Sequence, residues 1–180
     1  MTGSTTKSQH LMLSYSKDCR KDLVVDLELS LRDLGYDVYR DESGSSLVGP
    51  VTSSNFNKKM PEAVDSSHTI IVCVSPQYKE DVNCLAEAKY IMGRLHVCDL
   101  KVIFLMLDPK FTTKSSPAID GWLSFFVGTE IGYPLWDRLM VITTTREIAK
   151  HIGDNCKIFT AMHMSKVLRV EMHGGWSAIK

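Results

Sequence analysis

Two short apolar segments constrain the fold of this chain more than any other feature. Residues 68–75 (HTIIVCVS) are nearly all apolar and rich in β-branched side chains, and residues 101–107 (KVIFLML) form a second apolar run. Such runs are typical of strands that are buried on both faces, as in the middle of a parallel sheet. Since parallel strands are joined by crossover connections that usually contain a helix, the segments predict an α/β fold.

The rest of the chain supplies helical patterns and further strands. Leucines recur at helical spacing from Leu23 to Leu34, and Gly35 is placed to end that helix. In a later helical segment, Pro61 interrupts the apolar pattern. Strands are predicted at residues 10–15, 36–40, 68–75, 101–107 and 130–136, and helices at 23–34, 55–67, 82–95, 119–129 and 144–155. This alternation predicts a parallel sheet of about five strands with helices on both faces.

Length and composition predict a single domain. A chain of 180 residues with 44% hydrophobic content is long enough for one ordinary core. We expect the domain to span residues 10–155. A flexible N-terminal arm at residues 1–9 and a C-terminal helix or tail at residues 156–180 would flank it.

The charge and the cysteines restrict the partners and the compartment. Twenty-one basic residues balance twenty-one acidic ones, so no net field draws the chain to nucleic acid or to an anionic membrane. No apolar run is long enough to span a bilayer, so we expect no membrane insertion by this segment. The five cysteines are odd in number and widely spaced, which predicts reduced thiols in the cytoplasm.

Polar and aromatic side chains follow three of the predicted strands. They occupy residues 14–17 (SYSK), 39–42 (YRDE) and 75–78 (SPQY). Because ligands bind at the carboxyl ends of the strands in open parallel sheets, we expect a ligand crevice there. The chain has no GxGxxG motif, Walker loop or GxSxG motif, which argues against Rossmann dehydrogenases, P-loop enzymes and serine hydrolases. Cys84, His96 and Cys98 lack the spacing of a zinc site, so we predict no metal.

A glutamate falls on the apolar side of the predicted helix at residues 82–95. The inward-facing stripe of that helix consists of Cys84, Ala88, Ile91 and Leu95. Glu87 lies among them, close to the helix start. A capping box would need Ser, Thr, Asn or Asp three residues earlier, where the chain has Cys84; with Asn83 as the N-cap, Glu87 would be the fourth helical residue. A structural ion pair with a lysine or arginine elsewhere in the fold remains an alternative role for Glu87.

Four segments resemble the Toll/interleukin-1 receptor (TIR) domain family. They are LMLSYSKD (11–18), LGYDVYRDESGSSLVG (34–49), IIVCVSPQYKEDVNCLAEAKY (70–90) and DGWLSFFVGTEIGY (120–133). The third segment is fairly specific, because its strand ends in Ser75 and a tyrosine and a C-x-x-E motif follow. The last segment is similar to invertebrate-type members. The resemblance implies a flavodoxin-like parallel sheet, in agreement with the alternation of strands and helices.

The resemblance implies one of two functions in innate-immune or cell-death signalling. Some TIR domains cleave nicotinamide from NAD+ and release ADP-ribose or a cyclic isomer, and others are scaffolds that act only by assembling with further TIR domains. In the cleaving members the key residue is a glutamate on the third helix, which corresponds to Glu87. NAD+ would then be the substrate, and no cofactor is expected. A phosphorelay receiver domain shares the fold class, but the third predicted strand ends in Ser75 instead of an aspartate.

Several residues near the strand ends are candidates for contact with NAD+. Tyr39 is placed to stack on the nicotinamide or adenine ring, and Lys17 and Arg40 to meet the diphosphate. A core position for Tyr39 and a solvated surface position for the two cations are the simpler alternatives. Further candidates for lining the pocket are Ser14, Ser75, Tyr78, Asn83 and Cys84.

The loop at residues 41–51 corresponds to the family's BB loop, which inserts between neighbouring domains during assembly. Its candidate residues are Asp41, Gly44, Leu47, Val48 and Gly49. Gly44 and Gly49 would supply flexibility, and Leu47 with Val48 would form an exposed apolar tip. Other TIR domains are therefore the predicted partners, although a mobile connector without a partner is the alternative.

Overall fold

The computed structural model describes residues 9–157 except for 46–47, 51, 53, 98, 112–117, 129–131 and 155. In this part of the chain the strands are β1 (His10–Ser14), β2 (Val38–Tyr39), β3 (Ser67–Val74), β4 (Lys101–Met106) and β5 (Tyr133–Pro134). They form one sheet in the order β2-β1-β3-β4-β5. Every pairing is parallel, which confirms the predicted flavodoxin-like sheet of five strands.

Helices join the strands, as the alternation predicted. Those in the described residues are α1 (Lys21–Asp33), α2 (Phe56–Asp65), α3 (Pro76–Glu80), α4 (Val82–Leu95), α5 (Gly121–Val127) and α6 (Val141–Ile152). Gly35 follows the end of α1 with φ 91°, a left-handed conformation that glycine adopts at little cost. None of these described helices is both long and apolar enough to cross a membrane.

Helices cover both faces of the sheet because the central strand is apolar on both sides. Ile70, Val72 and Val74 of β3 pack in a cluster with side chains of α2, α3, α4 and α5. Ile71 and Cys73, which alternate with them, face a second cluster that contains side chains of α1 and α6. All eight residues of β3 are buried. The prediction of helices on both faces is confirmed.

The sheet register brings the carboxyl ends of β1, β2 and β3 to one edge. Ser14, the last residue of β1, pairs with Val72 of β3, and Met12 pairs with Tyr39 of β2. After β3 the chain forms the short helix α3 and then turns into α4. The start of α4 therefore lies near the end of β1, which is the geometry that positions the site.

The structure differs from the predicted elements in several places, among them the unpredicted short helix α3, β5, which covers only Tyr133–Pro134, and the following two. β2 has two residues instead of the stretch at 36–40, because only Val38 and Tyr39 pair with β1. Pro61 lies inside α2 and does not end it. A proline inside a helix costs about 3 kcal/mol, but the buried side chains of Met60 and Val64 hold the helix against the core on both sides of Pro61.

The predicted flanking segments lie almost wholly outside the described residues. Of the arm at residues 1–9 the structure describes only residue 9, and of the tail at residues 156–180 it describes residues 156 and 157. The division of the chain into an arm, a domain and a tail stays a prediction.

Candidate active site

A cleft lies beyond the carboxyl ends of β1 and β2, beside the first turns of α4. It is lined by Tyr15, Lys17, Asp41, Phe56, Asp81, Asn83, Cys84 and Glu87. Its cavity volume is about 50 Å³. The predicted crevice at the strand ends is therefore present, and it gathers the loops after β1 and β2 with α4.

The start of α4 is fixed by Asp81. Its Oδ1 accepts hydrogen bonds from the backbone N–H groups of Asn83 at 2.8 Å and Cys84 at 3.4 Å, and Ser16 Oγ donates to Oδ2 at 3.2 Å. Asp81 is thus the N-cap, and the prediction that Asn83 caps the helix was wrong. Glu87 consequently lies one turn and a half inside α4, where it cannot serve as a capping residue.

Glu87 is buried on the inward side of α4, as its spacing predicted. Its side chain is 7% exposed and lines the cleft. Ser14 Oγ donates a hydrogen bond to Glu87 Oε1, and the same Oγ lies 2.9 Å from the hydroxyl of Tyr78. Cys84, Ala88 and Ile91 are buried with it, whereas Leu95 at the end of α4 is 36% exposed. The apolar stripe therefore ends one turn earlier than predicted.

Burial and neighbouring charges shift the proton affinity of Glu87. Burial and, less strongly, the charges of Asp41 and Asp81 raise the pKa of its carboxyl, the hydrogen bond from Ser14 lowers it, and the net pKa is about 8. No alternative ion-pair partner of Glu87 is found among the described residues. A strongly shifted carboxyl in a cleft is typical of functional sites.

The cleft carries more acidic than basic groups. Burial raises the pKa of Asp41 above its ordinary value, while the nearby charge of Lys17 lowers it. Lys17 is exposed at the rim, and the described residues that line the cleft include no other lysine or arginine. Asp41, Asp81 and the ionised form of Glu87 favour a ligand with positive charge in this small space. The described residues hold no group of three or more His, Cys, Asp or Glu side chains suited to a metal ion.

The structure does not place Tyr39 or Arg40 at the cleft. The Tyr39 side chain is fully buried, and its ring stacks on His10 with 5.2 Å between centroids. Arg40 Nε donates to Glu28, and Arg40 Nη1 donates to Glu42 Oε2 at 2.9 Å. Tyr39 is therefore a core aromatic here, and Arg40 is bound to carboxylates of the protein itself. Neither is available in this structure to contact the base or the diphosphate of NAD+.

The other predicted pocket residues lie at different depths. Asn83 is exposed at the mouth of the cleft, whereas Cys84 is 5% exposed and burial raises the pKa of its thiol. Tyr78 is fully buried beneath Glu87 and bonds Ser14. Ser75 is the N-cap of α3, with its Oγ accepting from the backbone N–H of Tyr78 at 3.1 Å. Ser75 and Tyr78 therefore support the site from below and do not line it.

The predicted assembly loop is only partly as expected. Val48 is 2% exposed and packs in the core cluster of α2 to α5, so the prediction that it forms an exposed tip was wrong; Leu47 lies outside the described residues. Gly44 has φ 66°, and a Cβ there would lie 2.7 Å from the carbonyl oxygen of Val48. Gly44 thus closes a tight turn instead of giving flexibility. Asp41 faces the cleft, and Gly49 is exposed.

Three cleft residues were missed by the sequence analysis. Asp81 directly precedes α4, and an acidic residue before a helix is an N-cap signal that could have identified it. Tyr15 belongs to the polar run after β1 but was not singled out. Phe56, at the start of α2, carries no local signal, because its place in the cleft depends on how α2 packs against the sheet.

The chain matches known TIR domains in sequence pattern and in fold. A family model described as "TIR domain" matches residues 11–132. The TIR domain of the Toll-related receptor TRR-2 from Hydra magnipapillata is 14% identical, with a TM-score of 0.56; the match covers 79% of this chain and 96% of that one. The TIR domains of the activated Roq1 resistosome, which recognises the pathogen effector XopQ, are 19% identical, with a TM-score of 0.58 and coverage of 81% and 100%. No curated protein matches the sequence.

Proposed function

The chain belongs to the TIR domain family, and from that premise we propose that it is an NAD+ hydrolase. The reaction breaks the bond between the nicotinamide nitrogen and the ribose, and the bonding electron pair leaves with nicotinamide. Water then adds to the sugar carbon and loses a proton, which gives ADP-ribose; attack by a group of the substrate itself would give a cyclic isomer. The free thiols of Cys19, Cys73, Cys84 and Cys156 suit the cytoplasm as its location.

The observation that carries this proposal is the buried carboxyl of Glu87 at the wall of the cleft. In NAD+ the leaving group departs as a neutral molecule, so the reaction needs no general acid. Positive charge develops on the ribose in the transition state, and one carboxylate beside the sugar stabilises it, as in glycosidases. Glu87 is buried, whereas Asp41 and Asp81, the other acidic residues lining the cleft, are partly exposed. We therefore assign the stabilisation of the ribose cation to Glu87.

The charge of the cleft fits the nicotinamide end of NAD+, which is a cation. With a pKa of about 8, Glu87 would be ionised in only about one molecule in ten at neutral pH when the cleft is empty. A cation bound beside the carboxyl favours the ionised form. Asp41 and Asp81 add to the attraction for the ring. Binding of the substrate would therefore produce the ionised glutamate that the reaction uses.

The size of the cleft supports a role for self-association. Its volume of about 50 Å³ is well below the roughly 300–1,000 Å³ that ligand pockets enclose. The cleft would therefore hold only part of the nicotinamide end of NAD+, and the diphosphate would extend past the rim near Lys17. We propose that a second TIR domain completes the binding site for the remainder of the dinucleotide.

The alternative function is a TIR scaffold that signals by assembly alone. Its support is a pair of neighbouring exposed apolar side chains, Leu139 and Ile142, which are 89% and 60% exposed near the start of α6. Apolar groups this exposed are candidates for contact with another protein. In this alternative Glu87 would have no chemical role, and either function would serve innate-immune or cell-death signalling.

An assay of nicotinamide release from NAD+ tests the proposal. The reaction is run at high protein concentration with a crowding agent, and the nicotinamide is measured by chromatography. We expect release by the wild type and on the order of a hundredfold less by Glu87→Gln, because one preorganised charge is removed. Glu147→Gln is the matched control, since Glu147 lies on the exposed side of α6 and pairs only with Lys150 among the described residues. A folded, self-associating wild type that releases no nicotinamide would favour the scaffold.

A further inference from the structure

Three side chains from three separate elements form a buried hydrogen-bonded chain that ends on Glu87. Ser14 is the last residue of β1, Tyr78 lies in α3, and Glu87 lies in α4. We infer that Ser14 and Tyr78 are positioning residues for Glu87, in a chain that runs in one direction from the tyrosine hydroxyl through the serine hydroxyl to the carboxylate. Its consequence for catalysis rests on the proposed function, whereas the arrangement of the three side chains can be tested without any activity.

The direction of the chain follows from the number of hydrogens. Ser14 Oγ has one hydrogen and two neighbours, Glu87 Oε1 and the Tyr78 hydroxyl. When Ser14 donates to the carboxylate, Tyr78 must donate to Ser14, and every hydrogen in the chain is used. If the chain ran the other way, the Tyr78 hydrogen would be buried without an acceptor, since the described residues offer this hydroxyl no second partner. An unpaired buried donor is costly, so the chain favours an ionised Glu87.

The surroundings hold each member of the chain in place. Ser14 and Tyr78 are 1% and 0% exposed. The Ser75 cap fixes the start of α3, and the Tyr78 ring lies 6.0 Å from that of Trp122. Met12 lies on the same face of β1 as Ser14 and packs in the same core cluster as Tyr78. The two hydroxyls therefore have little freedom to leave Glu87.

The chain also determines which oxygen of Glu87 is free to act. Ser14 occupies Oε1, whereas no hydrogen bond to Oε2 is found within the described part of the protein. Glu87 nevertheless lines the cleft. The positioning residues thus leave one carboxylate oxygen for the ribose and hold the other from behind, which limits rotation of the carboxylate plane.

A ¹³C NMR titration of glutamate-labelled protein tests the chain without any need for activity. The Glu87 signal is assigned by its loss in Glu87→Gln. We expect Ser14→Ala to raise the pKa of Glu87 by about one to two units, because a donor to the charged form is lost, and Tyr78→Phe to raise it by less. Matched controls are Ser67→Ala and Tyr36→Phe, which remove buried hydroxyls that bond backbone carbonyls away from the cleft; neither should move the signal.

The variants leave the other groups that face Glu87 unchanged. These are Tyr15 and Lys17 after β1, Tyr39 at the end of β2 and Asp41 after it, and Asp81 and Cys84 at the start of α4. A difference between wild type and variant therefore reports the hydroxyl alone.

The outcomes separate this inference from the proposed function. A folded Ser14→Ala with an unshifted Glu87 would overturn the chain, and if that variant does not fold, an unshifted Tyr78→Phe would do so. If the shifts occur and the wild type also cleaves NAD+, kcat/KM of Ser14→Ala at neutral pH should fall about tenfold per unit of pKa rise, and Ser14→Thr should restore part of it. If the shifts occur but nothing cleaves NAD+, the chain stands and the proposed activity fails.

Discussion

Replacing Glu87 with glutamine should stabilise the fold, and by more as the pH rises. The carboxyl is buried, and burial raises its pKa to about 8 from an ordinary value of 4.5. Glutamine has nearly the same shape and carries no charge at any pH. The variant therefore removes the free-energy cost of holding an ionisable group in a buried position.

The size and the sign of the effect follow from proton linkage. Because the folded state binds the proton more tightly than the unfolded chain does, the stability contributed by Glu87 is greatest below pH 4.5 and is lost as the pH rises towards 8. Over that whole range the two pKa values correspond to about 5 kcal/mol of unfolding free energy. Between pH 5 and pH 8 the wild type should lose about 3.5 kcal/mol that Glu87→Gln keeps.

Urea denaturation at pH 5, 6, 7 and 8 measures this difference, with Glu147→Gln as the control. We expect the curve of unfolding free energy against pH for Glu87→Gln to diverge from that of the wild type, and the curve for Glu147→Gln to follow it. Titrating groups that do not interact with Glu87 contribute equally to all three proteins and cancel in the comparison, whereas Asp41 and Asp81 interact with it. Parallel curves for Glu87→Gln and the wild type would refute the argument that Glu87 is buried with a raised pKa.

Two further substitutions test the loop and the ion pair that depart from the sequence predictions. Gly44→Ala should destabilise the fold by roughly 1–3 kcal/mol in urea denaturation, because its φ is positive and its Cβ would press on the Val48 carbonyl; Gly49→Ala, which meets nothing within 4 Å, should change stability little. Burial raises the pKa of Glu28, but hydrogen bonds, of which the one from Arg40 is the largest, bring the pKa below its ordinary value. Arg40→Ala should therefore destabilise the fold by about 3 kcal/mol at pH 7 and by less at pH 4. Urea denaturation at both pH values measures the difference.

The order of elements could be predicted because it depends on periodicity. The apolar segments at residues 68–75 and 101–107 have no polar face, and only a strand covered on both sides buries them. The length of β2 could not be predicted, since it depends on how far the neighbouring strand runs alongside it. Burial of Val48 is also a tertiary effect: its side chain packs in the same core cluster as side chains of α2, and no local pattern indicates that packing.

Only part of the site could be predicted from the sequence. The spacing of α4 placed Glu87 on the buried side, and the structure agrees, while its catalytic role stays a prediction. A strand end does not determine where a side chain points, and this is why Tyr39 enters the core beside His10 and Arg40 meets Glu28, twelve positions earlier in the chain. Such partners are set by packing between elements that are distant in sequence.

The account depends on an ionised Glu87 that cleaves NAD+, and the pH profile of kcat/KM for nicotinamide release tests this claim most directly. Since kcat/KM reports ionisations of the free enzyme, the wild-type value should rise about tenfold per pH unit up to about pH 8 and then level off. Glu87→Gln should give a low and flat profile. A wild-type profile without an ionisation between pH 6 and pH 9, or a variant as active as the wild type, would contradict the account.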